Sequence, residues 1–463
     1  MLSKRFYIIF CFIFISFLRS EVIHAQSQES KNFESGNTIC FLGDSITHGG
    51  QFHEFLQLYY ATRYPNIALT FHNCGIAGDN AEGMSYRFKD DVLVHNPTHV
   101  FLMTGMNDVI RTLYFEGQAS DGIIQKRKNA LAVYKQNTDI LAEKFEASGI
   151  TPIYLTPSIY DQYSKIKKNN NLGCNEALIE CSEHIKSIAK QSNRLAIDLN
   201  THMKDIMDRE LQNDSLFTII GKDRVHPETT GHFIMFHKII SAIESPSNVA
   251  QITISLNEVK NLKTENCDVN ELQLTEKKIS FKCLENSLPF PINKSINRAL
   301  NLVPFQEEFN QERLKVIGLD HGNYDLFIQD KLINTFSAEQ LNDGINLSTE
   351  SNTPQYKQAQ EIMKLCQEYR KTGYQLRAVP FMVFKYLRDF TGPNNLYSKQ
   401  IHLEKKLKKI EGKPFYNYIK KSMHDYYETL PRQDSLTNRL KKIEKAIYMK
   451  NKPRTRSWSI VKN

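Results

Sequence analysis

The stretch that most constrains this chain is Gly-Asp-Ser-Ile-Thr at 43–47, which directly follows the apolar run Thr-Ile-Cys-Phe-Leu at 38–42. An apolar run of this length that stops at Gly-Asp-Ser predicts a buried parallel strand ending in a loop. In open α/β sheets, sites form at the carboxyl ends of strands, so Ser45 is well placed to act as a nucleophile. Because Gly-Asp-Ser also occurs in ordinary turns, this interpretation depends on the blocks that follow it along the chain.

Strands and helices alternate along the first half of the chain. Besides the run at 38–42, apolar stretches predict strands at 67–74, 98–103, 151–156 and 195–199. Helical patterns fall at 51–63, 127–147, 175–191 and 231–243. Alternation at this spacing predicts a parallel sheet with helices on both faces, which is a three-layer α/β/α sandwich.

Two of the predicted strands end in residues able to stabilise negative charge. Gly78 closes the block at 75–78 behind the second strand, where glycine lets the backbone turn sharply and present its N–H groups to a ligand. Asn107 follows the third strand, and its side-chain amide can donate to a developing oxyanion. The alternatives are a plain strand-to-helix turn for the first block and a helix cap for the asparagine.

A carboxylate and an imidazole lie three residues apart at Asp223 and His226. A short loop can bring the carboxylate onto one ring nitrogen and leave the other nitrogen free to take a proton from Ser45. The pair alone is weak evidence, since surface loops often contain both residue types. His48 is close in sequence to Ser45, and we interpret it as a secondary residue of the pocket.

In chain order, four blocks now stand together: Gly-Asp-Ser-Ile-Thr, Asn-Cys-Gly-Ile-Ala-Gly, Gly-Met-Asn-Asp and Asp-Arg-Val-His-Pro. Over about residues 36–245 the sequence resembles the SGNH hydrolases, also called the GDSL esterase/lipase family. The resemblance implies that Ser45 is the nucleophile, His226 the base and Asp223 its orienting carboxylate. It also implies an oxyanion hole made by the Ser45 backbone N–H, Gly78 and Asn107. The absence of a Gly-x-Ser-x-Gly elbow argues against the α/β-hydrolase fold.

The reaction implied by the resemblance is acyl transfer to water through an acyl-serine intermediate, with no cofactor or metal. Residues 45–50 and 156–161 are similar to exported members that deacylate carbohydrate, among them the rhamnogalacturonan acetylesterase-like branch. We therefore expect an esterase that removes short acyl groups, acetyl in particular, from an acylated carbohydrate. The alternatives are a lysophospholipase or thioesterase on the same machinery, and a non-catalytic carbohydrate-binding protein. The sequence leaves the sugar and the oligomeric state open.

Residues 1–25 have the composition of a secretory signal peptide. Lys4 and Arg5 precede an apolar run at 6–18, and Ala25 provides a small residue at the predicted cleavage point. The run is too short to favour a membrane-spanning helix, with an uncleaved anchor as the alternative. The sequence therefore predicts a secreted or periplasmic protein without stable membrane insertion after signal removal.

The remaining chain predicts two further units. After a predicted linker at 244–248, alternating apolar and polar residues indicate a small antiparallel β-rich domain over 251–345, and the catalytic domain is assigned to 26–246. Residues 346–463 form a basic region that is helical in pattern over 355–450, with Pro380, Pro393 and Pro414 as expected interruptions. A packing role for the β-rich domain is favoured over carbohydrate binding.

Charge is uneven along the chain, whose net charge is +8. Residues 401–463 contain 17 Lys and Arg against 6 Asp and Glu, a net charge of +11, which leaves −3 for the rest. The catalytic part is therefore close to neutral, and we predict no nucleic-acid partner. A solvated helix face is the favoured interpretation of the basic tail, with polyanionic polysaccharide or anionic membrane as alternative contacts.

The eight cysteines do not indicate a disulfide framework, because Cys11 lies in the predicted leader and the other seven are irregularly spaced. Cys40 and Cys74 fall in predicted core strands and are interpreted as small buried hydrophobes. Two pairings remain open for an oxidising compartment, namely Cys174 with Cys181 and Cys267 with Cys283. No Cys/His cluster has the spacing of metal ligands.

Overall fold

A computed structural model describes residues 33–258 and 261–463, so the predicted leader, with Cys11, lies outside the described residues. Five parallel strands form the central sheet of the described chain: β1 (Thr38–Gly43), β2 (Thr70–Gly75), β3 (His99–Met103), β4 (Thr151–Leu155) and β5 (Leu195–Ile197). Their order is β2-β1-β3-β4-β5. The order therefore reverses at β1, and such switch points are where open α/β sheets bind ligands.

Helices flank this sheet: α1 (Ser45–Gly49), α2 (Phe52–Arg63), α3 (Ala81–Arg87), α4 (Asp121–Ala147), α5 (Cys174–Gln191), α6 (Leu199–Leu211) and α7 (Thr229–Ile243). Helix α2 packs against α7, and α4 packs against α3 and α5. Strand β1 lies between two neighbours and buries every side chain from Ile39 to Leu42, which explains its unbroken apolar sequence. The predicted α/β/α sandwich is confirmed.

The next part of the chain builds two further sheets. Their strands are β6 (Asn248–Ser255), β7 (Leu262–Glu265), β8 (Cys267–Leu274), β9 (Lys278–Glu285), β10 (Gln311–Ile317), β11 (Asn323–Ile328), β12 (Lys331–Ser337), β13 (Ile345–Asn346) and β14 (Thr455–Lys462). The sheet β12-β11-β14-β9-β8 is antiparallel throughout, and the other sheet has the order β13-β10-β6-β7. Helices α8 (Asn297–Leu300), α9 (Phe305–Phe309) and α10 (Ala338–Asp343) interrupt these strands.

Two features of these sheets differ from the sequence prediction. Strands β6 and β10 are parallel, because the chain between them leaves the sheet and buries Phe290, Phe305 and Phe309 in the core of the α/β sandwich. Strand β14 lies in the region predicted as helical, and it inserts between β9 and β11. Its residues Trp458 and Ile460 are buried and alternate with polar ones, which is the pattern of a strand.

The C-terminal helical region is confirmed as far as residue 450. It consists of α11 (Pro354–Leu376), α12 (Ala378–Lys385), α13 (Leu396–Lys409), α14 (Tyr416–Thr429) and α15 (Gln433–Lys450). Pro393 and Pro414 lie between helices, but Pro380 lies in the first turn of α12, where its missing N–H costs nothing. The expected interruption near Pro380 is therefore observed, but it falls at Arg377, between α11 and α12, rather than at the proline itself.

The seven cysteines of the described residues are buried free thiols, so neither candidate pair forms a disulfide in this structure. Strands β8 and β9 nevertheless place Cys267 and Cys283 in neighbouring strands of one sheet. In the part of the chain that the structure describes, no helix has both the length and the apolar character that a membrane span requires.

Candidate active site

Ser45 is the first residue of α1, at the carboxyl end of the central strand β1. Asp44 caps this helix, because its Oδ1 accepts the N–H of Ile46 at 2.9 Å. The turn is tightly packed: a Cβ added to Gly43 would lie 2.1 Å from Thr47 Oγ1, and one added to Gly75 would lie 2.3 Å from the backbone nitrogen of His48. Glycine at both positions therefore lets the serine loop approach β2 closely.

The structure brings Ser45, His226 and Asp223 together, as the sequence analysis predicted for these three residues. Ser45 Oγ lies 2.8 Å from His226 Nε2, and His226 Nδ1 lies 2.5 Å from Asp223 Oδ2. Both of the latter side chains are about half exposed, with relative exposures of 47% and 48%. The arrangement can move a proton from the serine hydroxyl to the imidazole while the carboxylate holds the ring.

Asp223 makes a second set of contacts with its own loop. Its Oδ1 accepts the backbone N–H groups of Val225 and His226, each at 3.0 Å. Partial burial alone would raise the pKa of Asp223, but the hydrogen bond from the His226 side chain and these two backbone bonds hold it well below its usual range. Asp223 is therefore ionised beside the imidazole at any pH near neutrality.

Arg224 anchors the loop that carries Asp223 and His226. This role was not predicted from the sequence. Its backbone has a φ of +66°, and its side chain is 2% exposed. The guanidinium donates to the carbonyl oxygens of Asp161 at 2.7 Å and Ile166 at 2.8 Å. Because these partners are backbone groups about 60 residues away, the local sequence contains no signal for this contact.

The loops that follow β2 and β3 lie beside the serine loop, since Gly43 pairs in register with both Gly75 and Met103. Gly78 has a φ of +71° within a turn closed by the N–H of Asp79 and the carbonyl of Ile76 at 3.1 Å. Such a turn needs a residue that tolerates positive φ at this position. The three loops therefore meet at one edge of the sheet.

Asn107 is held with a defined orientation. Its Nδ2 donates to the carbonyl oxygen of Asp79 at 2.8 Å, and its Oδ1 accepts from Arg111 Nη1 at 2.9 Å. An amide nitrogen carries two hydrogens, so one of them remains available after the bond to Asp79. The structure thus places the Asn107 side chain beside the turn that contains Gly78.

Asp108, which follows Asn107 in the same block, ties this loop to the start of α3. It accepts the N–H of Ala81 at 2.8 Å and the N–H of Gly105 at 2.9 Å. Burial raises the pKa of Asp108 to about 6, because these hydrogen bonds offset only part of the cost of removing the carboxylate from water. The block was recognised from the sequence, but this joining role was not.

His48 contacts the loop of residues 75–79, called the Gly78 loop from here on. Its Nδ1 accepts the N–H of Ala77 at 3.2 Å. Burial, together with the charges of Arg377 and Arg87, lowers the pKa of His48 to about 3, so the ring is neutral. It lines a cavity of about 340 Å³ and stacks on Tyr374 at 4.8 Å between centroids. His48 therefore supports this loop through its bond to Ala77.

A depression of about 580 Å³ lies over Ser45 and His226. Hydroxyl, amide and carboxyl groups are prominent in its lining, which includes Gln51, Glu228, Thr229, Thr230 and Ser295. In the described residues, no group of three or more His, Cys, Asp and Glu side chains is placed to hold a metal ion.

Residues 39–239 match the family described as GDSL-like lipase/acylhydrolase. An acetylxylan esterase of Geobacillus stearothermophilus is 24% identical over 227 residues, which cover 45% of this chain and 94% of that protein. The solved structure of an acetylxylan esterase from the same organism, Axe2, superposes with a TM-score of 0.37 at 24% identity, covering 46% of this chain and 95% of that one.

A solved structure that covers nearly the whole chain is that of BT4096, a gut microbial diltiazem-metabolizing enzyme. It is 30% identical, with a TM-score of 0.86, and the superposition covers 95% of this chain and 100% of that one. The similarity therefore extends through the β-rich and helical parts as well as the α/β sandwich. Together with the matched residues 39–239, it shows that the chain belongs to the GDSL-like lipase/acylhydrolase family of serine ester hydrolases.

Proposed function

We propose that this protein is an exported esterase that removes short acyl groups, acetyl in particular, from carbohydrate. The observation that carries this proposal is the alignment of three side chains: Ser45 Oγ lies 2.8 Å from His226 Nε2, and His226 Nδ1 lies 2.5 Å from Asp223 Oδ2. They lie beneath a depression whose lining includes hydroxyl, amide and carboxyl groups. Polar lining favours a hydroxyl-rich substrate over an acyl chain of a lipid. The acetylxylan esterase relative supports the same substrate class, and export rests on the predicted leader at 1–25.

Each residue has a separate role in the proposed reaction. Ser45 Oγ bonds to the ester carbonyl carbon while its proton passes to His226 Nε2, and Asp223 stabilises the imidazolium that forms. The resulting oxyanion is met by the Ser45 backbone N–H, the Gly78 backbone N–H and Asn107 Nδ2. As the bond between the carbonyl carbon and the sugar oxygen breaks, His226 gives its proton to that oxygen, and the sugar leaves as a free hydroxyl. A water molecule, deprotonated by the same imidazole, releases the acid and restores Ser45.

A substrate panel tests this proposal. We expect acetylated xylo-oligosaccharides and p-nitrophenyl acetate to be hydrolysed, with kcat/KM at least about tenfold lower for long-chain p-nitrophenyl esters, because a site shaped for a short acyl group excludes longer ones. Diltiazem belongs in the panel because BT4096 metabolizes it. Preference for lysophospholipid would favour a lipid acylhydrolase, and inertness toward every ester would favour a binding protein. Cell fractionation and an N-terminus at Gln26 would test export.

Asn107→Ala tests the proposed oxyanion hole. We expect kcat to fall by about two to three orders of magnitude with little change in KM, because the amide acts mainly on charge that develops in the transition state. Steady-state kinetics and thermal unfolding should be measured on the same preparation. If Asn107 served only as a helix cap, the loss would appear instead as about 1 kcal/mol of stability.

Asn395→Ala is the matched control for this experiment. Asn395 caps α13 through a 2.8 Å bond from the N–H of Ser398, and it lies outside the proposed site. The control should lose stability and keep its kcat. An Asn107→Ala enzyme that behaved like this control would contradict the oxyanion role.

A further inference from the structure

The Gly78 loop, residues 75–79, is held by the C-terminal helical region as well as by the α/β sandwich. Ile76 is fully buried, yet it packs in an apolar cluster whose other buried members come from that region: Val379, Phe381, Met382, Leu387, Leu403, Ile419, Met423 and Tyr426. Ala77 packs against the same cluster. Residues about 300 positions apart in the chain therefore share one small core around this loop.

Two basic residues of the helical region bond the backbone of the Gly78 loop. Arg377 Nε donates to the carbonyl oxygen of Gly75 at 3.0 Å, and Lys385 Nζ donates to the carbonyl oxygen of Gly78 at 2.7 Å. Arg377 is itself fixed by two bonds of 2.7 Å to the carboxylate of Asp91. Lys385 Nζ also lies 3.8 Å from Asp79 Oδ1, so its ammonium is directed at the loop.

The third support for the loop is indirect. The N–H of Ala77 donates to His48, and the His48 ring stacks on Tyr374 of α11. Each residue from Gly75 to Gly78 therefore contacts the helical region either directly or through His48. A loop with this many supports has little freedom to move.

We propose that Lys385 is a positioning residue of the oxyanion hole, and that the helical region is consequently a working part of the active site. The proposal rests on the proposed roles of Ser45 and Gly78. Glycine tolerates many backbone conformations, so Gly78 needs an external contact to select the one that presents its N–H. The charge-assisted bond from Lys385 fixes the peptide group that follows Gly78, and oxyanion donors act strongly only when they are preorganised.

The contact from Lys385 comes from outside the family match. That match covers residues 39–239, so it includes the Gly78 loop but not the helical region that begins at Pro354. The catalytic blocks therefore do not encode this contact.

Lys385→Met and Lys385→Arg provide the test. We expect Lys385→Met to lower kcat about tenfold on p-nitrophenyl acetate with KM nearly unchanged, which is less than the loss of a whole oxyanion donor. Lys385→Arg should recover most of kcat, because a guanidinium can donate to the same carbonyl oxygen. The rate of fluorophosphonate labelling at Ser45 should fall and recover in parallel, since phosphonylation also develops charge on an oxygen in the hole.

Arg388→Gln is the matched control. Arg388 Nη2 pairs with Glu82 Oε1 at 3.2 Å across the same two parts of the molecule, but at an exposed position. It should leave kcat unchanged, as exposed ion pairs contribute little. The inference is overturned if Lys385→Met keeps its kcat, if only KM rises, if Lys385→Arg fails to recover activity, or if the loss merely follows a lower Tm. An active Ser45→Ala enzyme would instead overturn the proposed function itself.

Discussion

Ser45→Ala is expected to abolish ester hydrolysis and to leave the fold intact. The substitution removes only Oγ, whose partner is His226 Nε2 at 2.8 Å. The cap from Asp44 to Ile46 and the strand before it involve no atom of the serine side chain, so the turn should persist. Loss of the nucleophile of a serine hydrolase lowers kcat by about six orders of magnitude. We expect an unchanged Tm together with activity below detection.

Covalent labelling identifies directly which serine acts as the nucleophile. A fluorophosphonate should modify the parent protein at Ser45, and Ser45→Ala should not be labelled. Ser295→Ala is the matched control, because Ser295 lines the same depression but its hydroxyl donates to Asn293 Oδ1 rather than to a histidine. It should retain labelling and activity. Hydrolysis by a folded Ser45→Ala enzyme, or a label on another serine, would rule out Ser45 as the nucleophile.

The α/β sandwich could be predicted from the sequence because its strands are short apolar runs separated by helical patterns. The observed strands begin and end within about three residues of the predicted runs at 67–74, 98–103, 151–156 and 195–199. A parallel strand covered on both faces needs apolar side chains at every position, which is a local signal. The helices predicted at 51–63, 127–147, 175–191 and 231–243 are also observed, as α2, α4, α5 and α7, whereas α3 and α6 were not predicted.

The second half of the chain was predicted less completely, because its architecture depends on distant contacts. Strand β14 is a strand because β9 and β11 leave a gap that Trp458 fills, stacking on Phe281 at 5.6 Å. Those strands are more than 120 residues earlier in the sequence. The interruption predicted at Pro380 is displaced by three residues for a different reason, since a proline is tolerated in the first turn of the helix that follows the break.

The candidate site was likewise predicted only in part. Four short blocks predicted that Ser45, Gly78, Asn107, Asp223 and His226 would gather, and the structure brings them to one edge of the sheet. The residues that hold these loops in place were not predicted from the sequence. Arg224, Arg377 and Lys385 each hold their loop through a backbone carbonyl oxygen, a group that every residue has, so the sequence does not indicate the partner.

Asp223→Asn is the second substitution with a large expected effect on kcat, because it changes which ring nitrogen of His226 carries the proton. Asp223 Oδ1 accepts two backbone N–H groups, while Oδ2 faces His226 Nδ1 at 2.5 Å. An asparagine can keep the backbone bonds with its oxygen, so its NH₂ group must face Nδ1. That nitrogen then has to accept, and the ring proton moves to Nε2. Nε2 can no longer take the proton of Ser45, and kcat should fall by about four orders of magnitude.

Asp223→Ala separates this effect from loop stability. Alanine removes the charge and both backbone bonds, so Tm should fall, whereas Asp223→Asn should keep a nearly parental Tm. Because hydrogen bonds hold the pKa of Asp223 below its usual range, its contribution to stability is present above pH 4, about its unfolded pKa, and is lost only as pH falls further. The Tm difference between Asp223→Ala and the parent protein should therefore be the same at pH 6 and pH 8. A kcat of Asp223→Asn within about tenfold of the parent would show that another group orients His226.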